Sequence, residues 1–231
     1  MHEGSDVPWI VVAAAPAGPV AGMADLRGEP LQAWVCRQVA VWPAPLAIGE
    51  EPPRPDGDAA TFAGERYRCT FGADGSCVLA LPVGARRDSP ADGVPVWAIG
   101  EGAVAWIVVA ALRLAAAFAE RAGGRGELLV EVAVTGADGP YEVWNRDAHG
   151  FGPVGERRAA IRPVRGSADL AACLSAGVAG AARPLVLGLL GQFGLTRSRH
   201  IDAAGVLQRR HFTGYDERIR AWSEAIGVPS R

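Results

Sequence analysis

The sequence predicts an α+β fold in which long helices pack on a mostly antiparallel β-sheet. Two Asp-Gly pairs, Asp74-Gly75 and Asp138-Gly139, each lie between two apolar-rich segments. Such a pair is the strongest short-range signal of a β-hairpin, because a type I′ turn requires positive φ at both central residues. Residues 127–135 alternate apolar and polar side chains, like a strand with one buried face. Residues 104–123 are the most apolar segment, and their apolar side chains recur at helical spacing.

The remaining elements follow from local signals along the chain. Residues 8–15 are a short apolar run bounded by prolines, which is typical of a buried strand. Residues 28–40 have apolar side chains at helical spacing, with Pro30 in the first turn, where proline is favourable. Ser167 can cap a helix and Gly194 can end one. We therefore predict further strands at residues 66–71, 76–83, 94–99, 141–144 and 157–164, and further helices after Ser167 and over residues 183–193.

A short sequence repeat raises the question of internal duplication. The tetrapeptide GADG at residues 72–75 occurs again at residues 136–139. The same offset aligns the strand around Trp97 with Ile161, and it aligns two predicted helix starts. Two interpretations stay open: two related ββα halves that meet near residues 123–127, or two common hairpins that coincide.

The apolar segment 104–123 is too interrupted to predict a membrane span. A spanning helix requires ~20 predominantly apolar residues in a row, and here Arg113 ends the uncharged run. One helical stripe is apolar, whereas the opposite face carries Trp106, Arg113 and small residues such as Ala117. We predict a core helix. Its second face is covered either by later helices of the chain or by a partner protein that contacts Trp106 and Arg113.

Composition limits the classes of function. The chain has 231 residues and a formal net charge of -2, so no overall positive field attracts nucleic acid. All 23 basic residues are arginine. The four cysteines lack metal-ligand spacing, which predicts free thiols. The first residues do not resemble a signal peptide, and we therefore expect a cytoplasmic protein.

Motifs for catalysis are missing, which favours a non-enzymatic role without cofactor or metal. The sequence has no GxxxxGK[ST], GxSxG or HExxH pattern. One polar group stands out in a glycine-rich loop, where Asn145 and Arg146 precede Asp147 and His149. Asp147 and His149 could form a base with its orienting carboxylate, or two metal ligands, in an enzyme or a small-molecule sensor. The alternative is a solvated loop without chemistry.

The chain divides into an α+β domain, residues 7–195, and an Arg-rich helical tail, residues 196–231. Basic groups interleaved with aromatic residues can bind a nucleic-acid backbone and stack on its bases. A competing interpretation is that an apolar stripe of the last helix docks on this domain or on a partner protein. The nucleic-acid candidates are Arg197, Arg199, Arg209 and Arg210, and the stripe consists of Tyr215, Ile219, Trp222 and Ile226.

Three segments together carry a family resemblance: PWIVVAAAP, ALRLAAAFAERAGGRGELLVEVAVTG and LLGQFGL. They resemble the C-terminal region of bacterial AlbA-like (Schlafen-type) putative DNA-binding proteins. In that family the DNA-binding function is attributed to an N-terminal AlbA-like domain, which the matching segments do not include. The resemblance therefore implies an accessory module and assigns no DNA-binding residue to this chain.

These observations favour a non-enzymatic accessory or regulatory domain that binds a protein partner or associates with itself. The candidate contacts are Trp106, Arg113, Tyr215, Ile219 and Trp222. Nucleic-acid binding through the tail is the first alternative. A small-molecule sensor or enzyme that uses the Asp147/His149 loop is the second.

Overall fold

The computed structural model describes residues 7–20, 26, 28–44, 46–147 and 150–231. The strands are β1 (Trp9–Pro16), β2 (Arg54–Asp56), β3 (Ala59–Gly64), β4 (Tyr67–Gly72), β5 (Cys77–Pro82), β6 (Ala85–Asp88), β7 (Pro95–Gly100), β8 (Glu127–Thr135), β9 (Tyr141–Asp147), β10 (Gly150–Arg158) and β11 (Val164–Asp169). The helices are α1 (Gly28–Val39), α2 (Glu101–Arg121), α3 (Leu170–Cys173), α4 (Val178–Gly191) and α5 (Asp216–Ala225), and a 3-10 turn covers Arg209–His211.

Two sheets organise these elements, and the predicted α+β class is confirmed. The larger sheet has seven antiparallel strands in the order β11-β8-β1-β5-β4-β3-β2. The smaller sheet has four strands in the order β10-β9-β7-β6, and β7 and β9 run parallel within it. Helices cover one face of the seven-stranded sheet, which we call the inner face. On that face the ring of Phe118 in α2 lies 4.7 Å from the ring of Phe71 in β4.

The first predicted hairpin is confirmed. Strands β4 and β5 pair on either side of Asp74-Gly75. Gly75 has a φ of +81°, a conformation that favours glycine, whereas the φ of Asp74 is not positive, so the turn is not of the predicted type I′. Asp74 also accepts hydrogen bonds from the backbone N–H and the hydroxyl of Ser76, at 3.0 and 2.6 Å.

The second predicted hairpin is wrong. Strand β8 pairs with β1 along one edge and with β11 along the other, so neither edge is left for β9. The chain around Asp138-Gly139 instead crosses from the large sheet to the small one. Ile161 lies between strands β10 and β11, and Ser167 lies within β11 rather than at a helix start. The order of elements is the same in the two halves, β4-β5-β6-β7-α2 and β8-β9-β10-β11-α3. The strand pairing differs, because β4 pairs with β5 whereas β8 does not pair with β9. The internal duplication therefore stays a prediction.

Helix α2 is the centre of the core, and 14 of its 21 residues are buried. Among the described residues it is the one helix long and apolar enough to cross a membrane. However, 72% of its most apolar window is buried inside the protein, which favours the predicted core helix. The helix starts directly after β7, so its first turn lies where the parallel strands β7 and β9 place Gly100 beside Trp144.

Candidate ligand-binding cleft

A cleft of about 620 Å³ opens beside the first turn of α2. Its walls come from the first turns of α2, the end of β9, the start of β10 and the tail between residues 200 and 215. Pockets of roughly 300–1,000 Å³ lined by apolar groups and a few polar ones are the usual sites of small ligands. The position and size of the cleft make it the candidate functional site.

An aromatic wall forms one side of the cleft. Trp144 lies near the end of β9 and Phe151 is the second residue of β10, and their ring centroids are 5.4 Å apart. The guanidinium carbon of Arg87, from β6, lies 6.0 Å from the centroid of the Trp144 ring and 5.9 Å from that of Phe151. Trp144 is buried, whereas Phe151 is 45% exposed. The wall therefore presents one open ring face with a cation beside it.

A buried polar network holds this wall in place. The indole Nε1 of Trp144 donates a 3.1 Å hydrogen bond to Glu142, which also accepts one from the Ser89 hydroxyl at 2.8 Å. Arg157 donates to Glu142 at 2.9 Å and forms two bonds of 2.8 Å to Asp92. The hydrogen bonds from Arg157, together with one from the backbone of Val94, lower the pKa of Asp92 to about 2. These contacts restrict Trp144 to one orientation.

The tail forms the opposite wall. The rings of His200 and Phe212 pack edge to face with centroids 4.6 Å apart, and Tyr215 is 44% exposed beyond them. Gly102 in α2 allows this close approach, because a Cβ at that position would lie 2.9 Å from Nε2 of His200. Glycine at position 102 thus lets the tail reach the start of α2.

The carboxylate of Glu101 ties the tail to α2 beneath the cleft. Its Oε1 accepts hydrogen bonds from the Ser198 hydroxyl at 2.8 Å and from the Arg199 backbone N–H at 2.7 Å. Its Oε2 accepts one from the side-chain amide of Asn145. Nδ1 of His200 lies 3.2 Å from Oε1, at an angle unsuited to a hydrogen bond.

Opposing effects set the protonation of Glu101, which is only 1% exposed. Burial by itself would raise the pKa of this carboxyl group. The contact with His200 and its charge, with the hydrogen bonds from Asn145 and Ser198, outweigh burial and lower the pKa to about 2. Glu101 is therefore a fixed anion whose donors are all supplied by neighbouring residues.

The predicted face of α2 is covered by the chain itself. Trp106 is half-buried, packs against Trp42 with ring centroids 6.2 Å apart, and also lines the cleft. Arg113 lies 3.4 Å from the carbonyl oxygen of Ser175 and 3.5 Å from that of Cys173, both of which accept hydrogen bonds from it. Residues of the same chain therefore contact both Trp106 and Arg113, and binding of a partner protein at these two residues stays a prediction.

The predicted stripe of the last helix divides between the core and the cleft. Ile219 is 0% exposed and Trp222 is 1% exposed, and both are buried against this chain. Tyr215 instead faces the cleft that Trp106 also lines. The structure therefore brings these two predicted residues together and buries Ile219 and Trp222 elsewhere.

The predicted nucleic-acid residues lie around the tail rather than inside the cleft. Arg197, Arg199 and Arg210 are exposed. Arg209 is half-buried, and its Nε has no hydrogen-bond partner in the part of the chain that the structure describes. Burial lowers the pKa of His211, and the charges of His200, Arg199 and Arg210 lower it further, so positive charge gathers at this rim.

The structure places Asn145, Arg146 and Asp147 of the predicted loop site in β9 rather than in a loop. His149 and the side chain of Asp147 lie outside the described residues, so their proposed roles stay predictions. Arg146 and Phe151, which flank the loop, both line the cleft. Among the described residues no group of His, Cys, Asp and Glu is arranged to hold a metal ion.

Sequence reasoning missed the residues that build the cleft from distant segments. Trp144 and Phe151 flank the loop that the sequence singled out, and two aromatic residues so placed could have been noticed. Arg87, Glu101 and His200 carry no local signal, because their neighbours in space lie far away along the chain. The Ser198–Glu101 hydrogen bond, for example, joins residues 97 positions apart.

The fold and the cleft define a class of protein: an α+β protein with an aromatic and cationic cleft at the start of its central helix. Comparisons of this chain with protein-family models, with curated proteins and with solved structures each found no match. The resemblance to the C-terminal region of AlbA-like (Schlafen-type) proteins stays a prediction.

Proposed function

We propose that this chain is a non-catalytic domain that binds a small aromatic molecule and acts as a sensor or regulatory module. The observation that carries the proposal is the cleft of about 620 Å³ with an open aromatic ring at each side, Phe151 and Tyr215. An aromatic ring of the ligand would stack on the rings of Phe151 and Tyr215, and its apolar surface would be removed from water. These two effects are the main sources of affinity in such pockets.

The buried Glu101–His200 pair supports binding rather than proton transfer. A general acid or base must reach the substrate and change its protonation near the working pH. Glu101 has its oxygens occupied by four neighbours and a pKa of about 2, so it stays ionised and saturated at neutral pH. The pair thus fits a role in fixing the walls of the cleft.

We expect Phe151→Ala to weaken binding of a fused-ring probe by about 5- to 100-fold, the range that loss of one stacking ring produces. The probes are 1-naphthol and 1-naphthyl phosphate, measured by isothermal titration calorimetry. The matched control is Leu129→Ala, since Leu129 is 55% exposed on β8 and lies outside the cleft. Failure of both probes to bind the unaltered protein, or equal losses in the two variants, would contradict the proposal.

Self-association is a second candidate, favoured by the face of the seven-stranded sheet opposite the inner face. Cross-strand neighbours at its centre are apolar, as in the pairs Val11–Ala80 and Val11–Ala133. Charged side chains border this centre, because Glu131 lies opposite Ala13 and Arg68 lies opposite Ala80. We call this surface the outer sheet face; its members on β1, β5 and β8 include Trp9, Val11, Ala13, Val78, Ala80, Leu129, Glu131 and Ala133. Outward positions of a one-sided antiparallel sheet are usually polar. The apolar centre of this face can pack on another sheet about 10 Å away, and a second copy supplies an identical face.

We expect the unaltered chain to be dimeric by size-exclusion chromatography with light scattering, and Val11→Glu to be monomeric, because a charge at the centre of the outer sheet face cannot be buried unpaired. Ala63→Glu is the control, since Ala63 is exposed on β3, away from the centre. Circular dichroism shows whether each variant is folded. A monomeric unaltered chain, or a folded Val11→Glu dimer, would exclude this interface.

A further inference from the structure

Resting on the proposed small-molecule function, we infer that the cleft selects a flat aromatic ring bearing a negatively charged group such as a phosphate or carboxylate. Three features of the described residues lead to this class of ligand: the charges of the lining, the exposure of its rings, and the uncapped start of α2.

The charged residues that line the cleft are of one sign. Arg87 and Arg146 contribute guanidinium groups, and no described lining residue is Asp or Glu. Two carboxylates adjoin lining residues without lining the cleft: Glu101 accepts hydrogen bonds from Ser198 and Arg199, and Glu142 accepts one from Trp144. An anion in the cleft therefore meets guanidinium groups, which bind phosphate and carboxylate through paired hydrogen bonds.

The open aromatic rings concentrate at this site. Five large hydrophobic side chains are exposed among the described residues, and both aromatic ones, Phe151 and Tyr215, line the cleft. An isolated exposed aliphatic side chain is ordinary, whereas two partly exposed rings at one cleft provide surfaces on which a flat ring can stack. Arg87 lies about 6 Å from the Phe151 ring centroid, so one residue can contact both the ring and the anionic group of the ligand.

The start of α2 places backbone N–H groups at the same cleft, and the carboxylate of Glu101 in its first turn is bound by Ser198, Arg199 and Asn145 rather than by these groups. Gly100 precedes the helix, and no side chain caps the first backbone N–H groups. Gly100, Gly102 and Ala103 line the cleft, so small residues at the positive end of a 21-residue helix border the ligand space. Helix starts stabilise negative groups, and here that effect combines with two arginines.

Calorimetry with related probes separates the contribution of the aromatic ring to the affinity from that of the negative charge. We expect 1-naphthyl phosphate to bind at least about tenfold more tightly than either 1-naphthol or inorganic phosphate, because only the phosphate ester engages both the rings and the cations. Equal affinity for 1-naphthol would overturn the requirement for charge and leave the small-molecule function standing. Equal affinity for inorganic phosphate would overturn the requirement for a ring. No binding by any naphthyl probe would overturn both proposals.

Charge-neutral variants test the residues. Arg87→Gln and Arg146→Gln should each weaken 1-naphthyl phosphate by about tenfold while leaving the affinity for 1-naphthol within about twofold. Arg125→Gln, which removes an exposed arginine outside the cleft, should change neither. Equal weakening of both probes by the Arg87 and Arg146 variants would overturn the assignment of the anionic group. A short single-stranded DNA that binds far more tightly than AMP, with a steep salt dependence, would assign the cleft to nucleic acid instead.

Discussion

Replacing Trp222 with alanine is expected to lower the free energy of unfolding by about 3–5 kcal/mol, the usual cost of removing a large buried aromatic side chain. Trp222 is 1% exposed and belongs to the same core as α2. With Trp42 and Leu114 it lines a small cavity of about 180 Å³ between α1, α2 and α5. The variant would enlarge this cavity and weaken the attachment of the tail to the domain. Urea unfolding followed by circular dichroism measures the loss.

Tyr215→Ala is the matched control for Trp222→Ala. Both residues lie on the stripe that the sequence predicts for the last helix, but Tyr215 is 44% exposed. We expect its removal to cost less than about 1 kcal/mol, as is usual for surface substitutions. Similar losses in the two variants would show that the tail does not dock through Trp222, and so would an unchanged Trp222→Ala variant.

Replacing Glu101 with glutamine is expected to remove a pH-dependent contribution to stability of about 3 kcal/mol. The pKa of Glu101 is lowered from 4.5 to about 2 in the folded chain. A lowered pKa stabilises the folded state fully above pH 4.5, and this contribution is lost as pH falls from about 4.5 to about 2. The difference in unfolding free energy between the unaltered chain and Glu101→Gln should therefore be large at pH 6 and should shrink across that window.

Comparing the unaltered protein with the Glu101→Gln variant separates the contribution of Glu101 to stability from those of the other acidic groups. Asp92 also has a pKa lowered to about 2, but it is present in both proteins, so its contribution cancels in the difference. Glu120→Gln is the control, because Glu120 is an exposed carboxylate on the same helix. A Glu101→Gln difference that stays constant between pH 6 and pH 2 would contradict the role assigned to this carboxylate.

Local sequence signals predicted the elements whose neighbours lie close along the chain. The first hairpin, the strand at residues 127–135 and the apolar helix each depend on turn chemistry or side-chain periodicity, and all three are present. The second Asp-Gly pair carried the same turn signal, yet β8 pairs with β1 and β11. Strand pairing over long sequence separations depends on which edge is free, and a local motif does not contain that information.

The candidate site was predictable only at its margin. The sequence singled out Asn145, Arg146, Asp147 and His149 as a loop. The structure places the first three in β9, and Asn145 and Arg146 line the cleft. The residues that connect the walls could not be found in the same way, because Glu101 and Ser198 meet only after the tail folds back onto α2. Trp106 and Tyr215 were predicted as contacts for a partner, and the structure shows that both line the cleft.

The sequence by itself determined the α+β class, the position of the central helix and the apolar stripe of the tail, because periodicity and turn residues act over a few positions. Only the tertiary structure decided which surfaces stay open. It buried Trp222 and covered Arg113 with the chain's own carbonyl groups. It also left Phe151 and Tyr215 exposed at one cleft, because burial depends on the packing of segments that are far apart in the chain.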